Sequence, residues 1–143
     1  MIKFTVKDSV HLWDMNDKIK KVHEYLFYDT NLTAQMSKYN DEYNEYLDTK
    51  DEKERIMELA DMFICACGIK RFDYTIGSHL CNAVLDTFGY SREKIIDAII
   101  EKMNILQERK WNRDDNGYYQ HDVCTDESEN KKCHSGSCTH SKK

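Results

Sequence analysis

The apolar residues of this chain recur mainly at intervals of three and four positions, which is the period of an amphipathic α-helix. This pattern predicts five helices, over residues 16–28, 32–47, 50–69, 78–88 and 92–111. The second of them is expected to bury an apolar stripe made of Leu32, Met36, Tyr39, Tyr43 and Leu47. The chain has no proline and only 5 glycines, so nothing in its composition interrupts long helices.

The second and third predicted helices are joined by a very short connection. Thr49 and Glu52 have the spacing of a capping box, which marks the start of a helix. Two helices joined by so tight a turn form an antiparallel αα-hairpin. The end of the third helix, residues 59–69, is apolar on almost every side, as is typical of a buried helix. The predicted fold is therefore all-α, a bundle of about five helices built on this hairpin.

Four carboxylates of the hairpin are expected to meet. Glu42 and Glu45 are three positions apart, as are Glu58 and Asp61, so each pair lies on one helical face. In an antiparallel hairpin, residues equally far from the turn lie level with each other. This places Glu42 opposite Asp61 and Glu45 opposite Glu58 in a single acidic patch.

Such a patch needs a compensating charge. Two like charges about 4 Å apart repel by roughly 4 kcal/mol at an effective dielectric constant of 20. A buried carboxylate therefore needs a partner or a metal ion, and Mg²⁺ prefers oxygen ligands of this kind. The alternative is a surface hairpin neutralised by the cations near its turn, Lys50, Lys53 and Arg55.

Composition restricts the remaining possibilities. A chain of 143 residues with 40% hydrophobic content is long enough for one domain with a core. The formal net charge of −5 provides no basic footprint for nucleic acid. Neither a signal peptide nor an apolar run of membrane-spanning length is apparent, so no membrane association and a cytoplasmic location are expected.

The composition changes abruptly after Trp111. Residues 112–143 contain few aliphatic side chains, so residues 1–111 are predicted to form the domain and residues 112–143 a disordered tail. Cysteine and histidine are good zinc ligands. Their spacing in the tail, which has no Cys-x-x-Cys pair, matches no standard zinc finger, so Zn²⁺ binding there is the less favoured interpretation. The residues concerned are His121, Cys124, Cys133, His134, Cys138 and His140.

The acidic pairs and a later basic helix together resemble the MazG-like branch of the all-α nucleoside triphosphate pyrophosphohydrolases. This superfamily also contains the dimeric dUTPases. The resemblance extends over about residues 16–111 and is carried by Glu42-x-x-Glu45, Glu58-Leu-Ala-Asp61, and the segment from Lys102 to Trp111 with its spaced Lys102 and Arg109. Judged by position alone, Lys102 and Arg109 are two solvated residues on one face of an amphipathic helix.

The resemblance implies Mg²⁺-dependent hydrolysis of a nucleoside triphosphate, in particular a dNTP, to the monophosphate and pyrophosphate, with Mn²⁺ as an alternative cation. The four carboxylates would hold the metal, and Glu45 would also accept a proton from water. Lys102 and Arg109 would neutralise phosphate oxygens, and Asn104 would contact the substrate. The family also implies a homodimer or homotetramer that completes the bundle, with Tyr39, Tyr43 and Leu47 at the interface.

Three other functions remain open at this stage. A di-iron carboxylate bundle requires Glu-x-x-His pairs, and this sequence contains none. A non-catalytic helical module could use the same acidic patch to bind a nucleotide or a metal. A zinc-tethered adaptor would use the tail to recruit a partner and the helices to dimerise.

Overall fold

The computed structural model describes residues 1–121, which form five α-helices followed by a β-hairpin. The helices are α1 (Leu12–Leu26), α2 (Leu32–Asp48), α3 (Glu52–Lys70), α4 (Tyr74–Asp86) and α5 (Arg92–Leu106), and the strands are β1 (Trp111–Arg113) and β2 (Tyr119–His121). The predicted all-α class is confirmed. Within residues 1–121, no helix combines the length and the apolar character needed to cross a membrane.

Side-chain caps determine where α2 to α5 begin. Each of these helices starts after a residue whose side chain accepts a hydrogen bond from a backbone N–H of the first turn, namely Asn31, Asp51, Asp73 and Ser91. Two predicted starts were wrong for this reason. Asp51, and not Thr49, caps α3, while the Thr49 hydroxyl donates to the Glu45 carbonyl. Asp73 starts α4 ahead of the predicted position at Ser78.

Helix α3 lies at the centre of the bundle and packs against α1, α2, α4 and α5. Its side chains at Met62, Phe63, Ala66 and Cys67 have no exposed surface. The apolar character of this helix on all sides therefore reflects burial, as predicted. The consequence for function is that a charged residue on α3 enters the core of the protein.

Helix α2 does not bury the predicted apolar stripe. Met36, Tyr43 and Leu47 are exposed, while the buried side chains of this helix are those of Ala34, Gln35, Glu42 and Tyr46. The polar face of α2 is turned inward because it meets charged and polar partners from α1, α3 and α5, described below. The predicted oligomer interface, to which the exposed Tyr43 and Leu47 would belong, stays a prediction.

The chain continues past residue 111 in ordered structure, which corrects the predicted domain boundary. Strands β1 and β2 pair antiparallel around a turn that contains Gly117 at φ +84°. Gly117 O accepts a 2.6 Å hydrogen bond from the Thr30 hydroxyl, and Asn116 O accepts one of 2.7 Å from the Asn31 amide. Tyr119 is buried against Phe27, so one aromatic side chain anchors a segment that is otherwise polar. The predicted zinc ligands of residues 122–143 lie outside the described residues.

We expect Gly68→Ala to destabilise the protein by about 1–3 kcal/mol, the usual cost of overpacking a core. A Cβ on residue 68 of α3 would lie 2.9 Å from Gln35 Oε1 and closer still to the His23 ring. Replacing glycine in an unobstructed helix stabilises a protein instead, so the sign of the change is diagnostic. Urea unfolding measures it, and an increase in stability would contradict the packing described here.

Candidate functional site

The α2–α3 hairpin brings three of the four predicted carboxylates together. One oxygen from each of Glu42, Glu58 and Asp61 lies within 4.8 Å of the others. Glu42 and Glu58 are 1% and 2% exposed, and the Asp61 side chain is 12% exposed. The antiparallel hairpin thus places an acidic cluster inside the bundle, and from here "acidic cluster" means these three residues.

Glu45 does not belong to the acidic cluster. It lies three positions after Glu42 on α2, which is about 60° away around the helix and one turn further along it. Glu45 is half-buried, and its backbone carbonyl accepts the Thr49 hydroxyl. Glu42 alone of the ExxE pair therefore reaches the point where the Glu58 and Asp61 side chains meet.

Two lysines face the acidic cluster. Lys102 Nζ on α5 lies 3.1 Å from Asp61 Oδ2, and Lys102 is 5% exposed. Lys38 Nζ on α2 lies 3.6 Å from Glu42 Oε2. Burial is the largest single effect and lowers the pKa of Lys38, but Glu42 and three further acidic groups nearby together outweigh it and raise this pKa, so the side chain stays cationic. Lys38 was missed in the sequence, although it precedes Glu42 by four positions and so shares its helical face.

The carboxylates have unused acceptor capacity. Glu42 Oε1 and Glu58 Oε1 are buried and accept no hydrogen bond from any group in residues 1–121, while the buried Asp61 Oδ2 has the Lys102 ammonium at 3.1 Å. Native proteins pair most of their buried polar atoms, so two unpaired carboxylate oxygens at one place favour a missing ligand. Carboxylate oxygens from two helices are the donors that a hard divalent cation such as Mg²⁺ prefers. The acidic cluster therefore fits such a cation.

Electrostatics show how the acidic cluster behaves without a cation. Burial, together with the charges of Asp61 and Glu42, raises the pKa of Glu58 to about 10. Burial and the charge of Asp61 also raise the pKa of Glu42, while Lys38 opposes this rise. Glu58 is consequently protonated at neutral pH in the cation-free protein. The acidic cluster holds a proton where a metal ion would otherwise supply the positive charge.

Glu42 and Asp61 of the acidic cluster line a cleft that also contains the predicted phosphate ligands Lys102 and Arg109. Lys38, Lys102 and Arg109 all line this cleft, whose volume is about 50 Å³. Arg109 lies beyond the end of α5, which stops at Leu106 and not at Trp111 as predicted. The cleft has room for an ion and its water molecules, but not for a whole nucleotide.

Asn104 does not contribute to the cleft, contrary to the prediction from the family resemblance. Its amide oxygen accepts from Phe4 N at 2.9 Å, and its amide nitrogen donates to Phe4 O at 3.0 Å. Two positions along a helix correspond to a rotation of about 200°, so Asn104 faces away from Lys102. Its role is to hold the N-terminal segment against α5.

The β-hairpin forms one wall of the cleft through Trp111, Tyr118 and Tyr119. The Tyr118 hydroxyl donates a 2.6 Å hydrogen bond to Asp41, and Lys38 Nζ lies 5.6 Å from the centroid of the Tyr118 ring. Tyr118 and Tyr119 were assigned to the disordered tail in the sequence, whereas Trp111 was predicted to end the last helix. Asn116-Gly117 is a recognised turn signal and could have revealed the hairpin.

A chain of hydrogen bonds supports this wall from behind. His23 Nε2 donates to Gln35 Oε1 at 3.0 Å, and His23 Nδ1 accepts from Arg71 at 2.9 Å. Gln35 Nε2 then donates to the Thr30 hydroxyl, which bonds to Gly117 of the hairpin. Burial, with the nearby charge of Arg71, lowers the pKa of His23 to about 3, so its ring is neutral in the folded protein.

We expect His23 to make the protein sensitive to acid. The unfolded chain binds a proton at this residue below pH 6.5, whereas the folded protein does so only near pH 3. The stability that depends on neutral His23 is present above pH 6.5 and is lost as the pH falls, by about 1.4 kcal/mol per pH unit. Between pH 6.5 and 5, wild type should therefore lose about 2 kcal/mol more than His23→Gln in urea unfolding. Equal losses in the two proteins would contradict this assignment.

Comparisons with protein-family models, with curated proteins and with solved structures gave no match for this chain. The resemblance to MazG-like enzymes therefore stays a prediction based on a few residues. Of these residues, the structure places Glu42, Asp61, Lys102 and Arg109 at one cleft, and it places Glu58 beside Glu42 and Asp61. A function for the protein has to be inferred from the chemistry of that cleft.

Proposed function

We propose that this protein hydrolyses nucleoside triphosphates, preferentially dNTPs, to a nucleoside monophosphate and pyrophosphate in a Mg²⁺-dependent reaction. The observation that carries the proposal is the buried acidic cluster, of which Glu42 and Asp61 line the same cleft as Lys102 and Arg109. Carboxylates suit a divalent cation, and lysine and arginine suit phosphate oxygens. A metal-complexed phosphate chain needs both groups of side chains at one place.

A purely structural ion network explains the cleft less well. Burying charged groups costs several kcal/mol per ion unless hydrogen bonds satisfy their remaining lone pairs. Glu42 and Glu58 each retain an oxygen without a hydrogen-bond donor in the described part of the chain. Binding a cation would offset this cost, which favours a ligand site.

The residues of the cleft have separate roles in the proposed reaction. Glu42, Glu58 and Asp61 would hold Mg²⁺ or Mn²⁺, which when bound makes water more acidic and stabilises charge on phosphoryl oxygens. Lys102 and Arg109 bind phosphate oxygens and neutralise the pyrophosphate that leaves. The water oxygen bonds to the α-phosphorus and the bond from this atom to the α–β bridging oxygen breaks. The proton released from the water passes to the surrounding solvent, because Glu45, the acceptor implied by the family resemblance, does not line the cleft.

The size of the cleft determines which part of the substrate it can take. A volume of about 50 Å³ accommodates phosphoryl oxygens beside a cation, so the sugar and base remain at the mouth. Trp111 and Tyr118 line the cleft and are half-buried, so they provide an aromatic surface there. Stacking of a base on an aromatic side chain contributes about 1–3 kcal/mol and tolerates different bases.

Two further properties belong to the proposal. The first is a cytoplasmic location, since Cys65, Cys67 and Cys81 are free thiols, as is usual in the reducing cytoplasm.

The second is the oligomeric state. We propose a homodimer or homotetramer in which exposed Tyr43 and Leu47 of α2 contribute to the interface. Sedimentation analysis would test this assembly, since a Tyr43→Glu/Leu47→Glu variant should then become monomeric.

A panel assay tests the proposed reaction. The full chain is incubated with each dNTP, each NTP and dUTP, first with Mg²⁺ and then with EDTA, and the products are separated by chromatography. We expect monophosphate and pyrophosphate in equal amounts, and no product in EDTA. Diphosphate as the main product, or no turnover with either Mg²⁺ or Mn²⁺, would contradict the proposal. Binding of nucleotide without turnover would favour the non-catalytic module.

A further inference from the structure

The ammonium group of Lys38 is buried, and within residues 1–121 its ion-pair partner is a distant one. Its Nζ atom lies 3.6 Å from Glu42 Oε2, and it has no acceptor in hydrogen-bond geometry among residues 1–121. An ammonium group can donate three hydrogen bonds, and leaving it buried without them is costly. The group lines the same cleft as Lys102 and Arg109. An anion bound in the cleft would supply the missing acceptors.

The cleft carries excess positive charge when a divalent cation is bound. In that state all three carboxylates of the acidic cluster are ionised and face two lysines, Lys38 and Lys102, so these side chains by themselves sum to one negative charge. A dication converts this to one positive charge, and Arg109 adds a second at the same cleft. A buried site with excess positive charge attracts an anion. The cation-loaded cleft is therefore suited to a negatively charged second ligand.

We propose that Lys38 exchanges partners during binding: it neutralises Glu42 in the cation-free protein and binds phosphate oxygens once a divalent cation occupies the acidic cluster. This inference rests on the proposed function and adds to it a third phosphate ligand, which comes from α2. The dication competes with Lys38 for Glu42 and repels its ammonium group. The flexible four-carbon stem of lysine allows the ammonium group to move from Glu42 toward a bound phosphate. The Tyr118 ring, which lies near this ammonium group, also lines the cleft.

The partner exchange predicts effects of opposite sign for Lys38→Met, which keeps a long apolar side chain but removes the charge. Cation binding without phosphate should become about 3- to 10-fold tighter, because Glu42 no longer has a competing partner. Binding of inorganic pyrophosphate in saturating Mg²⁺ should become roughly 10- to 100-fold weaker, as expected for a lost hydrogen bond to a charged group. A residue that merely supports the fold would weaken both ligands together.

Isothermal titration calorimetry on the full chain measures both affinities, with Mg²⁺ alone and then with pyrophosphate in saturating Mg²⁺. Lys94→Met is the matched control, since Lys94 forms an exposed 3.7 Å ion pair with Glu52 outside this cleft and should change neither affinity. Lys38→Arg keeps the charge and should recover part of the pyrophosphate affinity. In the panel assay, Lys38→Met should raise KM more than it lowers kcat.

The outcomes separate the two proposals. Weaker binding of both ligands by Lys38→Met, or unchanged binding of pyrophosphate, would overturn the partner exchange while leaving the proposed reaction intact. Wild type that binds Mg²⁺ and pyrophosphate but hydrolyses no nucleotide would overturn the proposed reaction, and opposite shifts in Lys38→Met would still support the exchange. Wild type that binds neither ligand would overturn both.

Discussion

Glu58→Gln should abolish Mg²⁺-dependent hydrolysis and leave the folded protein intact. The acidic cluster would lose one of its three oxygen ligands, and the metal is expected to supply several kcal/mol of transition-state stabilisation. Since about 1.4 kcal/mol corresponds to a tenfold change in rate, a loss of more than about a thousandfold is expected. The pKa of Glu58 is about 10, so in the cation-free protein this side chain is a neutral acid that glutamine closely imitates.

The same pKa gives the direction of the stability change in EDTA. Folded Glu58 keeps its proton up to about pH 10, whereas the unfolded side chain releases it near pH 4.5. The stability due to this proton is fully present below pH 4.5 and is lost as the pH rises. Glu58→Gln should therefore match wild type near pH 4 and have a higher melting temperature than wild type at pH 8.

Turnover by the panel assay and melting temperature by circular dichroism test the Glu58→Gln prediction together. Asp97→Asn is the control, because Asp97 is an exposed carboxylate on α5 outside this cleft and should affect neither measurement. Turnover by Glu58→Gln within tenfold of wild type would contradict the metal-binding role. A large loss of stability at pH 8 in EDTA would contradict the protonated state of Glu58.

Asp61→Asn should destabilise the protein by about 3–5 kcal/mol, in contrast to Glu58→Gln. The buried ammonium of Lys102 lies 3.1 Å from Asp61 and would lose its closest negative partner. Glu42, whose charge also interacts with Lys102, compensates in part, which places the expected loss at the lower end of this range. Loss of turnover in Asp61→Asn would therefore combine a missing metal ligand with a weakened fold.

A second substitution distinguishes these two effects. Asp61→Asn/Lys102→Met removes both charges of the pair and should recover most of the lost stability, but no turnover. The matched control is Asp86→Asn, which breaks the exposed Arg92–Asp86 pair of the same 3.1 Å length and should cost less than about 1 kcal/mol. Urea unfolding in EDTA measures all three variants. A loss for Asp61→Asn no larger than that for Asp86→Asn would contradict the buried ion pair.

The central hairpin could be predicted from the sequence because its causes are local. Helix period and the apolar character of residues 59–69 indicated α3 and its burial. The i, i+3 spacing of Glu58 and Asp61, together with the antiparallel turn, was sufficient to bring these residues to Glu42. The prediction failed where two local caps competed, since Thr49 and Asp51 both precede α3 and only Asp51 accepts from its first turn.

The surroundings of the acidic cluster could not be predicted from local patterns. The hydrophobic pattern predicted that Met36, Tyr43 and Leu47 of α2 face the core. The structure exposes these three side chains and buries Gln35 and Glu42 instead. A charged side chain is buried when partners from distant parts of the chain compensate it, and Lys102 is 60 positions from Glu42. Such compensation depends on the packed arrangement of the helices.

By itself the sequence determined the helical class, the hairpin and the meeting of three carboxylates, because backbone period and turn geometry act over a few residues. The tertiary structure added Lys38 as a cleft residue, removed Asn104 from the site and brought the aromatic wall of the β-hairpin to the cleft. These three assignments depend on contacts between α1, α2, α5 and the hairpin. Long-range packing decides which side of a helix is buried, and therefore which charges share the low-dielectric interior where a cation and a phosphate chain can bind.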